Sequence, residues 1–157
     1  MINLHSNIHE LNMQKAIALA QKAATVDEVP IGAVILKGST IIGRGYNQIE
    51  CLKDSTAHAE ILAITSACNT LGNQRLTDCD LYVTKEPCIM CSGAIVNAKI
   101  RNLYFGAYDP DFGGCSSLYN LCNDPCQTHR CGVKGGILEH DCRALLDTFF
   151  AGIRLKD

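Results

Sequence analysis

Apolar residues along this chain follow two spacings, one typical of helices and one typical of strands. From about Ile8 to Val26 they recur every three or four positions, which predicts a helix with one apolar stripe. The stripe consists of Met13, Ala16, Ile17, Ala20, Ala23 and Ala24. Val29-Pro30-Ile31-Gly32 ends this region. The runs Ala33–Lys37 and Ile41–Asn47, joined by a turn at Gly38-Ser39, then predict a β-hairpin.

A second helix and a third strand are predicted in the next segment. Thr56 is a suitable N-cap for a helix that continues to about Leu71, and Gly72 is a suitable stop. Leu81–Thr84 is a short apolar run that predicts a strand. Pro87 suits the first position of the following helix, because proline lacks the N–H that remains unpaired there.

The second half of the chain contains a strand, a loop and two further helices. Ile100–Gly106 is the next predicted strand, and the glycine and proline content of Asp109–Gly114 predicts a loop. Ser116 or Ser117 is expected to cap a short helix after this loop. The apolar spacing of Cys142–Ile153 predicts a C-terminal amphipathic helix.

Strands and helices therefore alternate, which predicts an α/β fold. The expected architecture is a three-layer α/β/α sandwich with a mixed central sheet of about five strands. A length of 157 residues is sufficient for one domain and too short for two, so residues 1–157 are expected to form a single domain. In open α/β sheets, ligands commonly bind beyond the strand ends at one edge.

Charge and cysteine content narrow the class of protein. The formal net charge of −2 gives no bulk electrostatic reason to expect binding to nucleic acid. The ten cysteines would suit a disulfide-rich secreted protein, but no secretory signal is visible, so a reducing cytoplasm is expected. No apolar stretch approaches the length of a membrane span, and no membrane partner is expected.

Two short segments carry the candidate chemistry, His58-Ala59-Glu60 and Pro87-Cys88-Ile89-Met90-Cys91. His58, Cys88 and Cys91 supply three zinc ligands, which leaves one tetrahedral position open, as in catalytic sites. Glu60 is not needed as a ligand, and a spare carboxylate beside such a metal suits acid–base catalysis. We therefore expect one Zn²⁺ per chain and a catalytic Glu60. The alternative is a structural zinc knuckle beside a surface glutamate.

The segment Cys122–Cys131 is rich in cysteine. Its three thiols, on Cys122, Cys126 and Cys131, offer a possible second metal site. Their spacing does not match a standard zinc knuckle, and free cysteines pack readily as small apolar residues. We expect packing rather than a second zinc.

The two metal segments match the His-x-Glu and Pro-Cys-x-x-Cys signature of the zinc nucleobase deaminases. Within that superfamily, the longer runs His58–Ile64 and Leu81–Ile95 resemble the bacterial tRNA-specific adenosine deaminases. The segments Val29–Ala33, Gly113–Ser116 and Gly136–Phe150 are similar to the same family, so the resemblance covers nearly the whole chain. Lys85 departs from the pattern, because the family usually has an apolar residue there.

The resemblance implies a cytidine-deaminase-like fold, a homodimer, and hydrolytic deamination of adenosine to inosine at the wobble position of a tRNA anticodon. It implies His58, Cys88 and Cys91 as zinc ligands and Glu60 as the proton shuttle. The contacts that it implies with the anticodon loop are Asn47, Ala59 and Val29 around the base, Asp109 and His129 near the neighbouring nucleotides, and Phe149 at the rim. Core packing is the alternative for Phe149.

Two other functions are compatible with the same residues. A deaminase of a free nucleobase or nucleoside, of guanine or cytosine type, would use the same zinc and glutamate and differ at the rim of its pocket. A non-catalytic RNA-binding module would retain zinc for stability. A purely structural site would not require Glu60.

Overall fold

The computed structural model describes residues 4–156. In chain order its elements are α1 (Leu4–Thr25), β1 (Gly32–Lys37), β2 (Thr40–Tyr46), α2 (Ile49–Leu52), α3 (Ala59–Leu71), β3 (Cys79–Lys85), α4 (Ile89–Asn97), β4 (Asn102–Ala107), β5 (Gly132–Lys134) and α5 (Glu139–Arg154). Among these helices, none combines the length and the apolar character that crossing a membrane requires.

The strands form one mixed sheet in the order β2-β1-β3-β4-β5. β1 pairs antiparallel with both β2 and β3, whereas β4 pairs parallel with both β3 and β5. The β3–β4 pair is parallel because α4 connects the end of one strand to the start of the next. The predicted hairpin and the mixed sheet of about five strands are confirmed.

The central strands carry apolar residues on both faces of the sheet, and helices cover both faces. On one face α3 and α4 pack against inward-facing strand residues that include Ile35, Leu81 and Phe105. On the other face α1 and α5 pack against the intervening residues, which include Val34 and Tyr82. The predicted three-layer sandwich is therefore confirmed.

The start of α3 differs from the sequence prediction. The helix begins at Ala59, and its N-cap is His58 rather than Thr56. The Thr56 hydroxyl instead donates a hydrogen bond of 2.7 Å to Oδ1 of Asp54, whose carboxylate also accepts the Thr56 N–H. The threonine therefore stabilises a turn that precedes the helix.

The start of α4 differs in the same way. Its N-cap is Cys88, and the helix proper begins at Ile89. Pro87 lies one residue before the cap, in the bend between β3 and α4, where its carbonyl oxygen accepts the Gly114 N–H at 2.8 Å. The prediction that Pro87 occupies the first helical position was therefore wrong by two residues.

The segment after Gly114 forms turns instead of the short helix predicted at Ser116 or Ser117. The reason is that the N–H groups of both serines donate to the carboxylate of Glu86, which lies far away in the sequence. The strand β5 was not located from the sequence because three residues are too few to establish an alternating pattern.

The N-terminus of α3 is held close to β2 by the absence of a side chain at Gly45. A Cβ at this position would lie 2.3 Å from the carbonyl oxygen of Ala59 and 2.7 Å from the backbone nitrogen of Ala63. Because both neighbouring atoms belong to the backbone of a packed helix, they cannot move without shifting the helix itself.

We therefore expect Gly45→Ala to displace the first turn of α3. The free energy of unfolding should fall by about 1–3 kcal/mol, measured by denaturant unfolding. Gly152→Ala is the matched control, since Gly152 lies in α5 and no atom lies within 4 Å of the place that its Cβ would occupy. The control should be neutral or slightly stabilising because alanine favours helix. Equal stability of the two variants would contradict this account of the packing.

Candidate active site

His58, Cys88 and Cys91 come together at one edge of the sheet. Nδ1 of His58 lies 3.7 Å from Sγ of Cys88 and 3.6 Å from Sγ of Cys91. All three candidate ligand atoms lie within 4.8 Å of one another, and this is the one such group of three found in residues 4–156. Two of the residues are half-buried and Cys91 is fully buried.

The three atoms are spaced as ligands of a tetrahedral zinc ion would be. Zinc bonds of about 2.3 Å to sulfur and 2.0–2.1 Å to nitrogen, at a tetrahedral angle, place neighbouring ligand atoms about 3.6 Å apart. The two nitrogen–sulfur distances agree with this value. The donor set therefore fits a metal that accepts nitrogen and sulfur, with a fourth position open.

Two helix N-termini bring these ligands together. His58 is the N-cap of α3 and Cys88 is the N-cap of α4, and both have extended backbone conformations. Neither side chain caps its own helix, so both are free to turn towards the site. The positive ends of the two helix dipoles meet there and stabilise negative charge on sulfur.

The protonation of the cluster is coupled. The hydrogen bond with Cys88 raises the pKa of the His58 ring. The hydrogen bond with Cys91 lowers the pKa of Cys88 to about 4, and the same contact, together with burial, raises the pKa of Cys91. A cation bound by these groups would compete with their protons.

Glu60 lies in the first turn of α3, two residues after the His58 cap. The residue is only 4% exposed, and burial raises the pKa of its carboxyl group. Its interactions with His58 and Cys91 act in the opposite direction and lower this pKa. A buried carboxylate beside a metal cluster is an arrangement suited to moving a proton.

A pocket of about 220 Å³ opens over this cluster. It is lined by Ile31, His58, Glu60, Lys85, Glu86, Cys88, Asp109 and Phe112. A groove of about 510 Å³ between α1 and α5 is larger, but its lining has no metal-binding group of three. The smaller pocket is the candidate active site because candidate ligands, a buried carboxylate and an opening coincide there.

Comparison with known proteins identifies the class of enzyme. Residues 7–138 match the family model of the MafB19-like deaminases. The tRNA-specific adenosine deaminase of Bacillus subtilis is 46% identical over 148 residues, which cover 94% of this chain and 91% of that protein. The chain belongs to the family of the tRNA-specific adenosine deaminases.

Two solved structures share the fold of this family member. One, from studies of A-to-I editing by tRNA:A34 deaminases at the wobble position of transfer RNA, has a TM-score of 0.83 and 44% identity, covering 86% of this chain and 98% of that one. A guanine deaminase from Nitrosomonas europaea has a TM-score of 0.81 and 26% identity, covering 90% and 84%. The predicted cytidine-deaminase-like fold is confirmed by the first likeness.

Three of the expected base contacts in this deaminase lie beside the pocket without lining it. Asn47 is buried, and its N–H donates to the carbonyl oxygen of Ile31, a pocket residue, at 3.0 Å. Ala59 is buried between His58 and Glu60, and Val29 is partly buried two residues before Ile31.

His129 and Phe149 lie outside the pocket of their own chain. Nε2 of His129 is 2.7 Å from the carbonyl oxygen of Ile100, just before the start of β4, whereas the pocket lies beyond the end of that strand. Phe149 lies on α5 and lines the groove next to α1. The expected contact of His129 with a neighbouring nucleotide and the expected place of Phe149 at the pocket rim stay predictions.

The cysteine-rich segment of the deaminase does not gather its three thiols around one point. Cys122 and Cys131 are buried in the core, whereas Cys126 is exposed. Sγ of Cys122 instead lies 3.1 Å from Sγ of Cys115. The expectation that these thiols pack as small apolar groups agrees with this burial.

Four residues that line the pocket were not among the expected site residues, namely Ile31, Lys85, Glu86 and Phe112. Lys85 was noted only as a departure from the family pattern. Its Nζ lies 2.9 Å from Oδ2 of Asp109, while Oδ1 accepts the N–H groups of Asp111 and Phe112 at 3.1 Å. Burial opposes ionisation of Asp109, but its hydrogen bond and ion pair with Lys85 lower its pKa.

We expect the Lys85–Asp109 pair to contribute to stability above the ordinary pKa of an aspartate. Because the pKa of Asp109 is lowered in the folded protein, this contribution is lost as the pH falls through that lowered value. A double-mutant cycle with Lys85→Met and Asp109→Asn should give a coupling free energy of about 1 kcal/mol near neutral pH. Coupling that stays constant into strong acid would contradict the assignment.

Proposed function

We propose that this chain is a zinc-dependent deaminase that converts adenosine to inosine at the wobble position of a tRNA anticodon. The observation that carries the proposal is the likeness to tRNA-specific adenosine deaminases along almost the entire chain, joined to a pocket built on His58, Glu60, Cys88 and Cys91. Net charge alone does not suggest RNA, so recognition has to come from local contacts.

His58, Cys88 and Cys91 would hold one zinc ion per chain. Their nitrogen–sulfur distances match a tetrahedral ligand set, and three protein ligands leave room for water. When bound, zinc supplies a Lewis acid that makes water nucleophilic near neutral pH. The two helix N-termini keep the thiolates charged and oriented for this task.

Glu60 would move protons during the reaction. In the proposed sequence its carboxylate takes a proton from the attacking water and delivers it to the ring nitrogen next to C6 of the adenine. The water oxygen bonds to C6, and Glu60 then carries the second proton from this new hydroxyl group to the amino group. The C6–N bond breaks, a C6=O bond forms, and ammonia leaves. Burial of Glu60 beneath the pocket supports this role, because bulk water competes less for the proton.

Asn47, Ala59 and Val29 would hold the base. The side-chain amide of Asn47 offers both a donor and an acceptor to a purine edge. Asp109 and His129 would contact neighbouring nucleotides, and Phe149 would shape the rim. A single-stranded anticodon loop suits such a pocket, since its bases leave their stack at low cost.

The partner and the compartment follow from the same proposal. The substrate is the anticodon loop of a tRNA, and the resemblance to the family implies a homodimer. We assign the enzyme to the cytoplasm, where ten free thiols would stay reduced. The guanine deaminase with the same fold makes a free base the second candidate substrate.

Inosine formation in an anticodon stem-loop with a wobble adenosine tests the proposal. We expect conversion of the stem-loop and none of guanine, cytidine or free adenosine under the same conditions. Light scattering on the same sample should give twice the mass of the chain. Activity on guanine alone would contradict the RNA assignment and favour the second candidate.

Glu60→Ala separates the proton shuttle from the metal. We expect turnover of the stem-loop to fall at least about a hundredfold, because general acid–base catalysis is lost. Zinc content, measured by mass spectrometry of the intact protein, should stay at one ion per chain.

Cys91→Ser is the matched comparison, because it removes a ligand and should lower zinc content and turnover together. Turnover retained in Glu60→Ala would contradict the role of the carboxylate. Full zinc content in Cys91→Ser would contradict the ligand assignment.

A further inference from the structure

Glu86 places a buried carboxylate at the wall of the pocket and surrounds it with hydrogen-bond donors. The residue is 2% exposed. Oε2 accepts the N–H groups of Cys115, Ser116 and Ser117 at 3.3, 3.0 and 2.9 Å. Oε1 accepts the N–H of Asp109 at 3.2 Å and the hydroxyl of Ser117.

All five of these donors belong to one segment, residues 109–117, which we call the pocket loop. The pocket loop carries Asp109 and Phe112, two residues that line the pocket. Glu86 itself lies between the end of β3 and the Cys88 cap of α4. The Glu86 carboxylate therefore connects the pocket loop to the turn that carries the candidate ligand Cys88.

The pocket loop lies so close to Glu86 that there is no room for a side chain at Gly113. A Cβ at Gly113 would lie 2.1 Å from Oε2 of Glu86 and 2.6 Å from the carbonyl oxygen of Asp109. The Gly113 N–H also donates to that carbonyl at 2.9 Å. The loop can reach the carboxylate because Gly113 has no side chain.

Glu86 is not available for proton transfer or metal binding. Each of its oxygens already accepts at least two hydrogen bonds, whereas a proton shuttle needs a lone pair that faces the substrate. The backbone N–H groups that donate to Glu86 lie in a loop and have no partner in a helix or strand. The Glu86 carboxylate accepts their hydrogen bonds instead.

We infer that Glu86 is a positioning residue that fixes the pocket loop against the metal-binding turn and so determines how tightly the anticodon loop binds. This inference rests on the proposed function for the identity of the substrate. The anchoring of the loop does not depend on it. Glu86 acts through Asp109 and Phe112, which it holds in place, and leaves the chemistry to Glu60 and the ligands.

Glu86→Gln tests the inference with little change in volume. The amide can keep its oxygen towards residues 115–117, but its NH₂ group then meets the Asp109 N–H, and two donors face each other. We expect KM for the stem-loop to rise at least about tenfold, with kcat changed by less than about threefold, because binding contacts are lost and the reacting groups stay in place.

Two further measurements distinguish positioning from a general structural role. Zinc content should remain at one ion per chain, and backbone amides 109–117 should exchange with deuterium faster than in the parent protein, while α5 is unchanged. Gly113→Ala pushes against the same carboxylate from the loop side and should give the same pattern. Gly152→Ala, where no atom lies within 4 Å of the added methyl, is the control and should match the parent.

The outcomes separate this inference from the proposed function. If the parent protein forms no inosine in the stem-loop, the proposed function fails, and deuterium exchange still tests the anchoring. Unchanged KM and unchanged exchange in Glu86→Gln would overturn the inference. Loss of zinc with a fall in kcat alone would also overturn it, by making Glu86 a support for the metal. If Glu86→Gln does not fold, Gly113→Ala decides by the same criteria.

Discussion

The meeting of two helix N-termini is the constraint on which the rest of this structure depends. His58 and Cys88 cap helices that belong to different crossovers, yet their ligand atoms must lie a few ångströms apart. Local structure cannot ensure this, because the two segments are thirty residues apart. The close packing of α3 on β2 and the parallel pairing of β3 with β4 fix the distance between these atoms. A change that loosens the sandwich is therefore expected to disturb the geometry of the site as well.

Three carboxylates around the pocket differ because their surroundings differ. Glu60 is buried beside the ligands, where burial raises its pKa and suits it to carry a proton. Glu86 is buried among donors of the pocket loop and is occupied by them. Asp109 is paired with Lys85, so its charge is compensated at the pocket wall. Residue type alone does not distinguish these three roles.

The sequence predicted those features that depend on spacing within short segments. The order of β1 to β4 with α1, α3, α4 and α5, the hairpin, and the His-x-Glu and Pro-Cys-x-x-Cys pattern all follow from residues that are neighbours in the chain. It did not predict that Thr56 would turn towards Asp54, or that Ser116 and Ser117 would donate to Glu86 rather than begin a helix. Those outcomes depend on partners brought together by tertiary packing, and a serine or threonine cap is easily diverted by a stronger acceptor.

A fold that combines helix starts packed into the core with a separate loop at the pocket can serve several deaminases. The candidate metal ligands and Glu60 lie at the N-caps and in the first turns of α3 and α4, and both helices pack into the core. This packing holds their side chains in position. Asp109 and Phe112 lie on a loop whose backbone is held by one side chain, and a loop of this kind can change its contacts without disturbing the helices behind it. The guanine deaminase shares the fold at 26% sequence identity, so this scaffold is compatible with more than one deaminase substrate. We therefore expect substitutions in the pocket loop and at Glu86 to change substrate binding, and substitutions at the two helix starts to change the chemical step.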